Sequence, residues 1–341
     1  MKTPRRSSLH KQSAKRARTA RNHERNPVGV IGLGLMGTSI ATCLLARGHP
    51  VIGIDSDAER RRSARRRVLG FLREMKAEKV LRANPSEVIE RFAASEDYSA
   101  LRHCEAVIES IFENVESKKD VLKRIEAAVS PETIIGSNTS AIPVTILQQG
   151  MAHPERVLGI HWAEPAQTTR FMEIICGDQT AERFADRARK LAEGWGKEPS
   201  VLRRDIRGFI TNRIMYAMLR EAFHLVEAGY ATIEDVDRSV RNDYGYWITF
   251  AGLFRFMDLT GIPAYAAVMR DLFPDLDCSK EVPRLMQQVV ESGAQGVSNA
   301  RGFYRYTPAQ AKRWEKLFMK FSYEIRAIAE KYPGDVGDRS G

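Results

Sequence analysis

The feature that most constrains this sequence is a glycine-rich turn directly after a short run of β-branched residues. Residues 28 to 37 read VGVIGLGLMG, so Gly32, Gly34 and Gly37 fit the pattern GxGxxG. In a strand–turn–helix unit the first glycine permits the tight turn and the second lets a pyrophosphate approach the backbone. The third allows the helix to pack closely on the strand. The pattern alone is weak, because glycines also serve ordinary turns, so the flanking residues must decide.

The residues that follow complete a dinucleotide-binding unit. A helix is predicted from Met36 to Ala46, and Val51 to Ile54 provides a second strand that leads into Asp55. A carboxylate at this position accepts hydrogen bonds from a ribose diol and repels a 2′-phosphate. The sequence therefore predicts NAD, and not NADP, as the cofactor. Arginines at positions 60 to 62 weaken this argument only if they face the cofactor and do not form a solvated helix face.

Alternating strands and helices continue to about residue 205. Two helices are expected between residues 57 and 90, and another from Ser117 to Val129. Further strands are expected at Arg91 to Ser95, Glu105 to Ser110, Thr133 to Ser137 and Val157 to Trp162. This alternation predicts an α/β fold, a Rossmann-type doubly wound parallel sheet with helices on both faces.

From about Ile206 the pattern becomes helical throughout. The first of these helices has apolar residues at helical spacing and stops at Gly229, and Thr232 followed by Asp235 resembles a capping box for the next helix. The sequence thus predicts three parts. A basic tail comprises residues 1–26, an NAD-binding Rossmann domain residues 27–205, and an all-α C-terminal domain residues 206–332.

The formal net charge of +10 is concentrated in the predicted tail. Residues 1–26 contain nine Lys or Arg and one Glu, so the other 315 residues carry a net charge of only +2. The tail is rich in serine and lacks hydrophobic periodicity, which predicts disorder. Such a tail can bind nucleic acid or an acidic surface. A solvated extension, or a start codon assigned too far upstream, is the preferred interpretation, and we expect no nucleic-acid partner.

Other features of the composition exclude several classes of protein. No run of eighteen apolar residues occurs, and the N-terminus lacks the apolar stretch of a secretory signal, which predicts a cytoplasmic protein without a membrane partner. Four cysteines, Cys43, Cys104, Cys176 and Cys278, are widely spaced and form no metal-binding pattern. They are expected to be reduced thiols in the core, with neither a disulfide nor a bound metal.

Residues 158 to 175, LGIHWAEPAQTTRFMEII, place one histidine and one carboxylate in two apolar runs. Pro165 and two threonines make a continuous helix unfavourable, so the segment is predicted to form strand, loop and strand. On the second strand Glu173 shares a face with Phe171 and Ile175. A carboxylate on an apolar face is costly unless paired, and His161 on the neighbouring strand is its natural partner. Such a pair orients the imidazole and favours its protonated form, as a general base requires.

Four segments carry a resemblance to a known family. They are AVIESIFENVESKKDVL (106–122), SNTSAI (137–142), GIHWAEP with MEII (159–175) and RGFITNRI (207–214). In the first of them Glu109, Glu113, Asn114 and Lys118 occupy matching positions. In this order and spacing the segments resemble the 3-hydroxyacyl-CoA dehydrogenases, from residue 28 to about 230 and more loosely to about 270.

The resemblance implies an NAD-dependent oxidoreductase of fatty acid metabolism that forms a homodimer through its C-terminal domain. Its catalytic residues would be His161 as the base, Glu173 as its partner, and Ser140 and Asn212 on the substrate oxygen. The cofactor would be bound by Gly32, Gly34, Leu35, Met36, Gly37, Asp55, Glu109, Lys118 and Asn138. No metal is implied, and the favoured substrate is a small molecule, a short-chain 3-hydroxyacyl-CoA such as 3-hydroxybutyryl-CoA.

Two departures from the family keep other readings open. The family commonly has an asparagine three residues after the histidine, where this chain has Glu164. The stretch from 245 to 261 is closer in length to branches that oxidise small polar hydroxy acids, with Gly252, Phe254 and Asp258 matching and Leu253 in place of the usual proline. One alternative is therefore a dehydrogenase of a free 3-hydroxy acid. The other is a dinucleotide-binding protein without catalytic turnover.

Overall fold

A computed structural model describes residues 25–332, which form a sheet flanked by helices and then a helical domain. Most of the predicted basic tail, residues 1–24, lies outside the described residues. One sheet has the strand order β3-β2-β1-β4-β5-β6-β7-β8. The strands are β1 (Val28–Ile31), β2 (Val51–Ile54), β3 (Phe92–Ser95), β4 (Ala106–Glu109), β5 (Ile134–Ser137), β6 (Val157–Trp162), β7 (Phe171–Cys176) and β8 (Glu198–Leu202).

Helices cover both faces of this sheet. They are α1 (Leu35–Ala46), α2 (Ala58–Ala77), α3 (Pro85–Val88), α4 (Val115–Ala128), α5 (Val144–Gln148) and α6 (Glu182–Gly194). Short 3₁₀ turns occupy Ile89–Arg91, Tyr98–His103 and Pro154–Arg156. Residues 57–90 hold two helices, as expected, namely the 20-residue α2 and the one-turn α3. The predicted fold class is confirmed.

The sequence predicted a parallel sheet, but one strand pair of the observed sheet is antiparallel. Strands β1 to β6 run parallel, but β7 pairs antiparallel with β6, and β8 follows β7 in its direction. The reason is the connection, because only residues 163–170 join β6 to β7. A parallel pair needs a crossover of about a dozen residues or more, so a linker this short can only produce an antiparallel pair.

An apolar core lies on each face of the sheet. All residues of β1, β4, β5 and β6 are buried, as expected for strands covered on both faces. One core cluster contains α1, α2 and α6, and the other contains α4 and α5. Cys43, Cys104 and Cys176 are buried free thiols, and burial raises the pKa of Cys104 to about 12. The prediction of core thiols is wrong for Cys278, which is exposed.

The second part of the chain is helical. Its helices are α7 (Thr211–Glu227), α8 (Ile233–Asn242), α9 (Tyr244–Thr260), α10 (Ile262–Leu272), α11 (Arg284–Glu291) and α12 (Pro308–Ala329), with 3₁₀ turns at Phe273–Asp275 and Val297–Asn299. Helix α9 is broken at Gly252, which has a φ of +67°. The side chain of Thr232 accepts a hydrogen bond from the Asp235 N–H, so it caps α8 as predicted.

Helix α12 returns from the helical part to the first domain. Tyr323, only 4% exposed, belongs to the same apolar cluster as α1 and α2, and its hydroxyl donates to Glu74 Oε1 at 2.8 Å. Within residues 25–332, no helix is long and apolar enough to cross a membrane. The same part of the chain contains no group of three His, Cys, Asp or Glu side chains placed to hold a metal ion.

Candidate active site

The glycines of the turn after β1 are required for different geometric reasons. Gly32 has a φ of +89°, and a Cβ atom on Gly37 would lie 1.8 Å from the Gly32 carbonyl oxygen. A Cβ atom on Gly34 would meet no atom within 4 Å. Gly34 is also the N-cap of α1, and because it has no side chain, the first N–H groups of that helix receive no side-chain hydrogen bond from their N-cap. Those groups and the open space beside Gly34 fit an anionic pyrophosphate.

A cleft of about 1180 Å³ lies at the carboxyl ends of β1, β2 and β4, where the strand order reverses. Ligands of open α/β sheets bind at such a switch point. Five of the predicted cofactor-binding residues line this cleft, namely Gly32, Gly34, Leu35, Met36 and Asp55. The other four, Gly37, Glu109, Lys118 and Asn138, are not among its lining residues. Their role in cofactor binding stays a prediction.

Asp55 is held in place by the glycine turn itself. Its Oδ2 accepts a hydrogen bond from the Leu33 N–H at 2.8 Å, and its Oδ1 accepts one from the Asp57 N–H at 2.9 Å. The carboxylate therefore faces the cleft in a fixed orientation, as recognition of a ribose diol requires. Of the three arginines that follow, only Arg60 lines the cleft, and Arg61 pairs with Glu96 at 2.7 Å.

Glu109, the last residue of β4, forms an ion pair with Lys118 of α4. Both side chains are completely buried, and Lys118 Nζ lies 2.7 Å from Glu109 Oε1. Glu109 Oε1 also accepts the Ile111 N–H, and its Oε2 accepts the hydroxyl of Ser137. Asn138 follows Ser137, and its side-chain oxygen accepts the Trp162 N–H at 2.8 Å. These bonds join the ends of β4, β5 and β6.

His161 and Glu173 lie directly opposite each other on the antiparallel strands β6 and β7. Their side chains meet, with His161 Nδ1 2.9 Å from Glu173 Oε2. The imidazole packs edge-on against Phe171 and Phe209, with ring centroids 5.5 Å and 5.6 Å away. With the Nδ1 proton donated to Glu173, Nε2 is the nitrogen left to accept a proton from a substrate. The predicted strand, loop and strand arrangement thus brings the two residues into contact.

Glu173 is buried but fully hydrogen-bonded. Its Oε1 accepts the N–H groups of Ile210 and Thr211, at 3.1 Å and 3.0 Å, where α7 begins. Burial alone would raise the pKa of Glu173, but the hydrogen bonds from His161, Thr211 and Ile210 outweigh it and hold the pKa below its usual value. Glu173 is therefore a carboxylate at neutral pH, which stabilises a protonated imidazole beside it.

The start of α7 also positions the other two predicted catalytic residues. Asn212, next to Thr211, donates through Nδ2 to the Ser140 carbonyl oxygen at 2.9 Å. The turn that carries Ser140 is fixed by Glu113, whose Oε1 accepts the Thr139 hydroxyl and the Ser140 N–H. Ser140 and Asn212 both line a cleft of about 940 Å³. One helix N-terminus thus links these two residues to Glu173.

Comparison with known proteins identifies the family. Residues 27–206 match the model for the 3-hydroxyacyl-CoA dehydrogenase NAD binding domain, and residues 208–306 match the model for the C-terminal domain. The chain belongs to the 3-hydroxyacyl-CoA dehydrogenase family. It is therefore an NAD-dependent oxidoreductase of this type, which confirms the predicted family, activity class and cofactor.

Two curated relatives show over how much of the chain the similarity extends. The 5-formyl-3-hydroxy-2-methylpyridine 4-carboxylate 5-dehydrogenase of Mesorhizobium japonicum is 32% identical over 307 residues, which cover 89% of this chain and 98% of the relative. A probable 3-hydroxybutyryl-CoA dehydrogenase of Deinococcus radiodurans is 32% identical over 282 residues, which cover 82% of this chain and 99% of the relative.

Solved structures of the family give the same pattern. The crystal structure of the pyridine carboxylate 5-dehydrogenase, described as an NAD⁺-dependent dismutase, is 30% identical, covers 89% of this chain and 98% of its own, and has a TM-score of 0.82. The (S)-3-hydroxybutyryl-CoA dehydrogenase of Ralstonia eutropha is 29% identical, covers 82% of this chain and 99% of its own, and has a TM-score of 0.69.

In this member of the 3-hydroxyacyl-CoA dehydrogenase family, replacing Asp55 with alanine is expected to lower the preference for NAD over NADP at least tenfold. Hydrogen bonds to a charged group contribute about 1.5–3 kcal/mol, and the substitution also removes the repulsion of a 2′-phosphate. The ratio of kcat/KM with the two cofactors measures the effect. Asp57→Ala is the matched control, because Asp57 caps α2 but does not line the cleft. Equal ratios in both variants would contradict the role given to Asp55.

Two features of the site were not predicted from the sequence. Glu113 was noted only as a matching position, although it supports the turn that carries Ser140. Phe209 was not singled out, yet it packs on the His161 ring and has a φ of +52°, which is rare for a bulky residue. Its neighbour Gly208 (φ +82°) was the one signal in the sequence for an unusual backbone at this junction.

Proposed function

We propose that the protein uses NAD to oxidise the hydroxyl group of a small free acid. In such an acid the negatively charged carboxylate lies within a few bonds of the hydroxyl. In a CoA substrate that place is taken by the thioester and the pantetheine arm, which are uncharged. Arg207, Arg213 and Arg220 line the cleft beside Ser140, and no Asp or Glu is among the described residues that line it. Guanidinium groups pair with carboxylates in a bidentate geometry. This cationic lining is the observation that carries the proposal.

The similarity to the pyridine carboxylate 5-dehydrogenase supports a substrate with a free carboxylate. The name of that enzyme describes a carboxylate on the same ring as position 5, the position at which the enzyme acts. Its similarity also extends over more of this chain than that of the 3-hydroxybutyryl-CoA dehydrogenases. Tyr216 and Tyr244 in the arginine-lined cleft provide aromatic surface against which a planar substrate can pack.

In this proposal His161 acts as the general base. Its Nε2 takes the hydroxyl proton while the hydrogen on the same carbon leaves as hydride, and NAD, when bound, provides the hydride acceptor. The Glu173 carboxylate stabilises the imidazolium that forms. The Ser140 hydroxyl and the second amide N–H of Asn212 hydrogen-bond the substrate oxygen as it changes from alcohol to carbonyl.

A second candidate is oxidation of 3-hydroxybutyryl-CoA, the substrate first favoured from the sequence. It is supported by the 3-hydroxybutyryl-CoA dehydrogenases, which are 30–32% identical over 279 to 285 residues of this chain. Under this candidate the arginines of the cleft would bind phosphates of CoA and not a carboxylate near the reacting carbon.

An NADH-oxidation assay with acetoacetyl-CoA and a panel of free 3-oxo acids separates the two candidates. We expect a higher kcat/KM for a free acid, and we expect Arg207→Gln to raise KM for it about tenfold with little change in kcat, since a bond to a charged group is lost. Arg204→Gln is the matched control, because Arg204 is exposed and does not line the cleft. A higher kcat/KM for acetoacetyl-CoA would select the second candidate, and tight NADH binding without turnover would contradict both.

Homodimer formation through the helical domain stays a prediction. It is supported by the exposed apolar surface of that domain, since α7, α8, α10 and α11 have no buried residue within the described chain. Ile214 and Leu219 of α7 are 38% and 41% exposed, although they belong to its predicted apolar stripe. The cytoplasmic location, and the expectation that nucleic acid is not a partner, also stay predictions.

A further inference from the structure

The loop of residues 163–170 joins the strand that carries His161 to the strand that carries Glu173. Its conformation therefore affects both members of the pair, and the loop itself contains the exposed Glu164. Three elements distant in sequence hold this loop. From α1, the Ser39 hydroxyl oxygen accepts the Ala166 N–H at 2.8 Å, and the Ser39 hydroxyl donates to the Gln167 side chain. The other two elements each supply a cation.

Those two cations bind four successive carbonyl groups of the loop. Lys197 Nζ donates to the carbonyl oxygens of Ala166 and Thr169, at 2.5 Å and 2.6 Å. Arg326 Nη1 donates to those of Gln167 and Thr168, at 3.1 Å and 3.4 Å. Both cations are nearly buried, with Lys197 6% and Arg326 9% exposed. Buried carbonyl groups need such donors, so the loop depends on both residues.

The two cationic residues come from different parts of the chain. Lys197 lies directly before β8 in the first domain, whereas Arg326 belongs to α12. Helix α12 starts at Pro308, after residue 306, where the match to the family's C-terminal domain ends. Its attachment to the first domain includes the bond from Tyr323 to Glu74. The helix thus carries a charged side chain from the end of the described chain to the loop between the catalytic strands.

We propose that Arg326 is a positioning residue, which fixes the loop of residues 163–170 and thereby the His161–Glu173 pair on the two strands that the loop joins. It does not touch the reacting atoms. It acts through the Gln167 and Thr168 carbonyl groups. A misplacement of about 1 Å at a catalytic group can cost about 10²-fold in rate, so the loss of two loop contacts is sufficient for a large effect. The inference rests on the proposed function only where turnover is measured.

The test compares Arg326→Met with Arg313→Met in the full chain. Arg313 is an exposed arginine of the same helix, so the same substitution there controls for changes in helix composition. Hydrogen exchange of a peptide that contains residues 163–170 reads the order of the loop without any substrate. We expect about tenfold faster exchange in Arg326→Met than in Arg313→Met, because local opening of the loop becomes easier.

Kinetics provide the second readout. In Arg326→Met we expect kcat/KM to fall between about tenfold and 10²-fold, while the Kd for NADH stays within about twofold. The two quantities should separate because the loop joins the strands that carry His161 and Glu173, whereas none of its residues lines the cofactor cleft. Arg326→Lys keeps one cationic donor and should recover part of the lost activity. That recovery distinguishes positioning of the loop from simple filling of space.

Several results would overturn the proposal. Loop exchange and kcat/KM within twofold of those of Arg313→Met would do so, as would faster exchange spread evenly over all peptides, which indicates a general loss of stability. If Arg326→Met does not fold, Arg326→Gln takes its place, because it removes the charge and keeps a polar side chain, and unchanged exchange and activity in that variant would contradict the proposal. If the parent protein turns over no tested substrate, the proposed function fails while the exchange experiment still tests Arg326.

Discussion

Replacing His161 with alanine is expected to lower kcat/KM by about 10²- to 10⁴-fold, the usual contribution of a positioned general base. His161 is 7% exposed, and its ring is bonded through Nδ1 to Glu173 and enclosed by Phe171 and Phe209, so the ring has one free nitrogen in a fixed direction. In the described part of the chain Nε2 has no hydrogen-bond partner that would compete with a substrate. Alanine removes the proton acceptor and leaves the cofactor cleft unchanged.

Steady-state kinetics with NADH and the preferred oxo acid measure this loss, and NADH fluorescence titration measures cofactor affinity. His153→Ala is the matched control, because that histidine is half-exposed in the same domain and pairs only with Glu155. We expect the control to retain parental kcat/KM and both variants to bind NADH as the parent does. Activity of His161→Ala within tenfold of the parent would show that another group takes the proton.

The parts of the site that were predictable from sequence are those fixed by short-range geometry. GxGxxG constrains the backbone within a few residues, and Asp55 follows at the end of the next strand. The pairing of His161 with Glu173 follows from two strands joined by a short loop, where alternation of side chains decides which ones share a face. Each inference needed only the local chain, and for each the structure shows the expected arrangement.

Long-range contacts were not predictable in the same way. Arg326 meets the Gln167 carbonyl across 159 positions of sequence, and in the sequence it is one of several basic residues in a helical segment. Lys197 likewise shows no sign in the sequence that it is buried. The reversed direction of β7 was predictable in principle from its short connection, but the regular alternation of strands and helices before it favoured a parallel sheet.

The start of α7 explains how both parts of the chain contribute to the proposed catalytic site. Thr211 donates to Glu173, and its neighbour Asn212 donates to the Ser140 carbonyl oxygen. Two adjacent residues therefore contact the partner of His161 and the turn that carries Ser140. The positive end of the helix dipole also favours a carboxylate at this place. A shift of the helical domain would therefore change the support of Glu173 and the position of Asn212 together.

Replacing Lys118 with methionine is expected to lower the free energy of unfolding by about 3–5 kcal/mol, because it leaves the Glu109 carboxylate buried without its counter-ion. Neither side chain has any exposed surface, so water cannot take the place of the lost ammonium group. The bonds from Ile111 and Ser137 to Glu109 remain but carry no full positive charge. Since this cluster joins the ends of β4 and β5, the loss should affect the whole sheet.

Urea unfolding of the apo-protein, followed by tryptophan fluorescence, measures this change. Lys119→Met is the matched control, since the neighbouring lysine is partly exposed and bonds only Gln149, and we expect it to cost less than about 1 kcal/mol. The double variant Glu109→Gln with Lys118→Met should recover part of the stability, because it removes both charges at once. Equal stability of the two single variants would mean that Glu109 is not a buried carboxylate. A loss of NADH affinity without a loss of stability would instead support the cofactor-binding role that the family resemblance implies for Lys118.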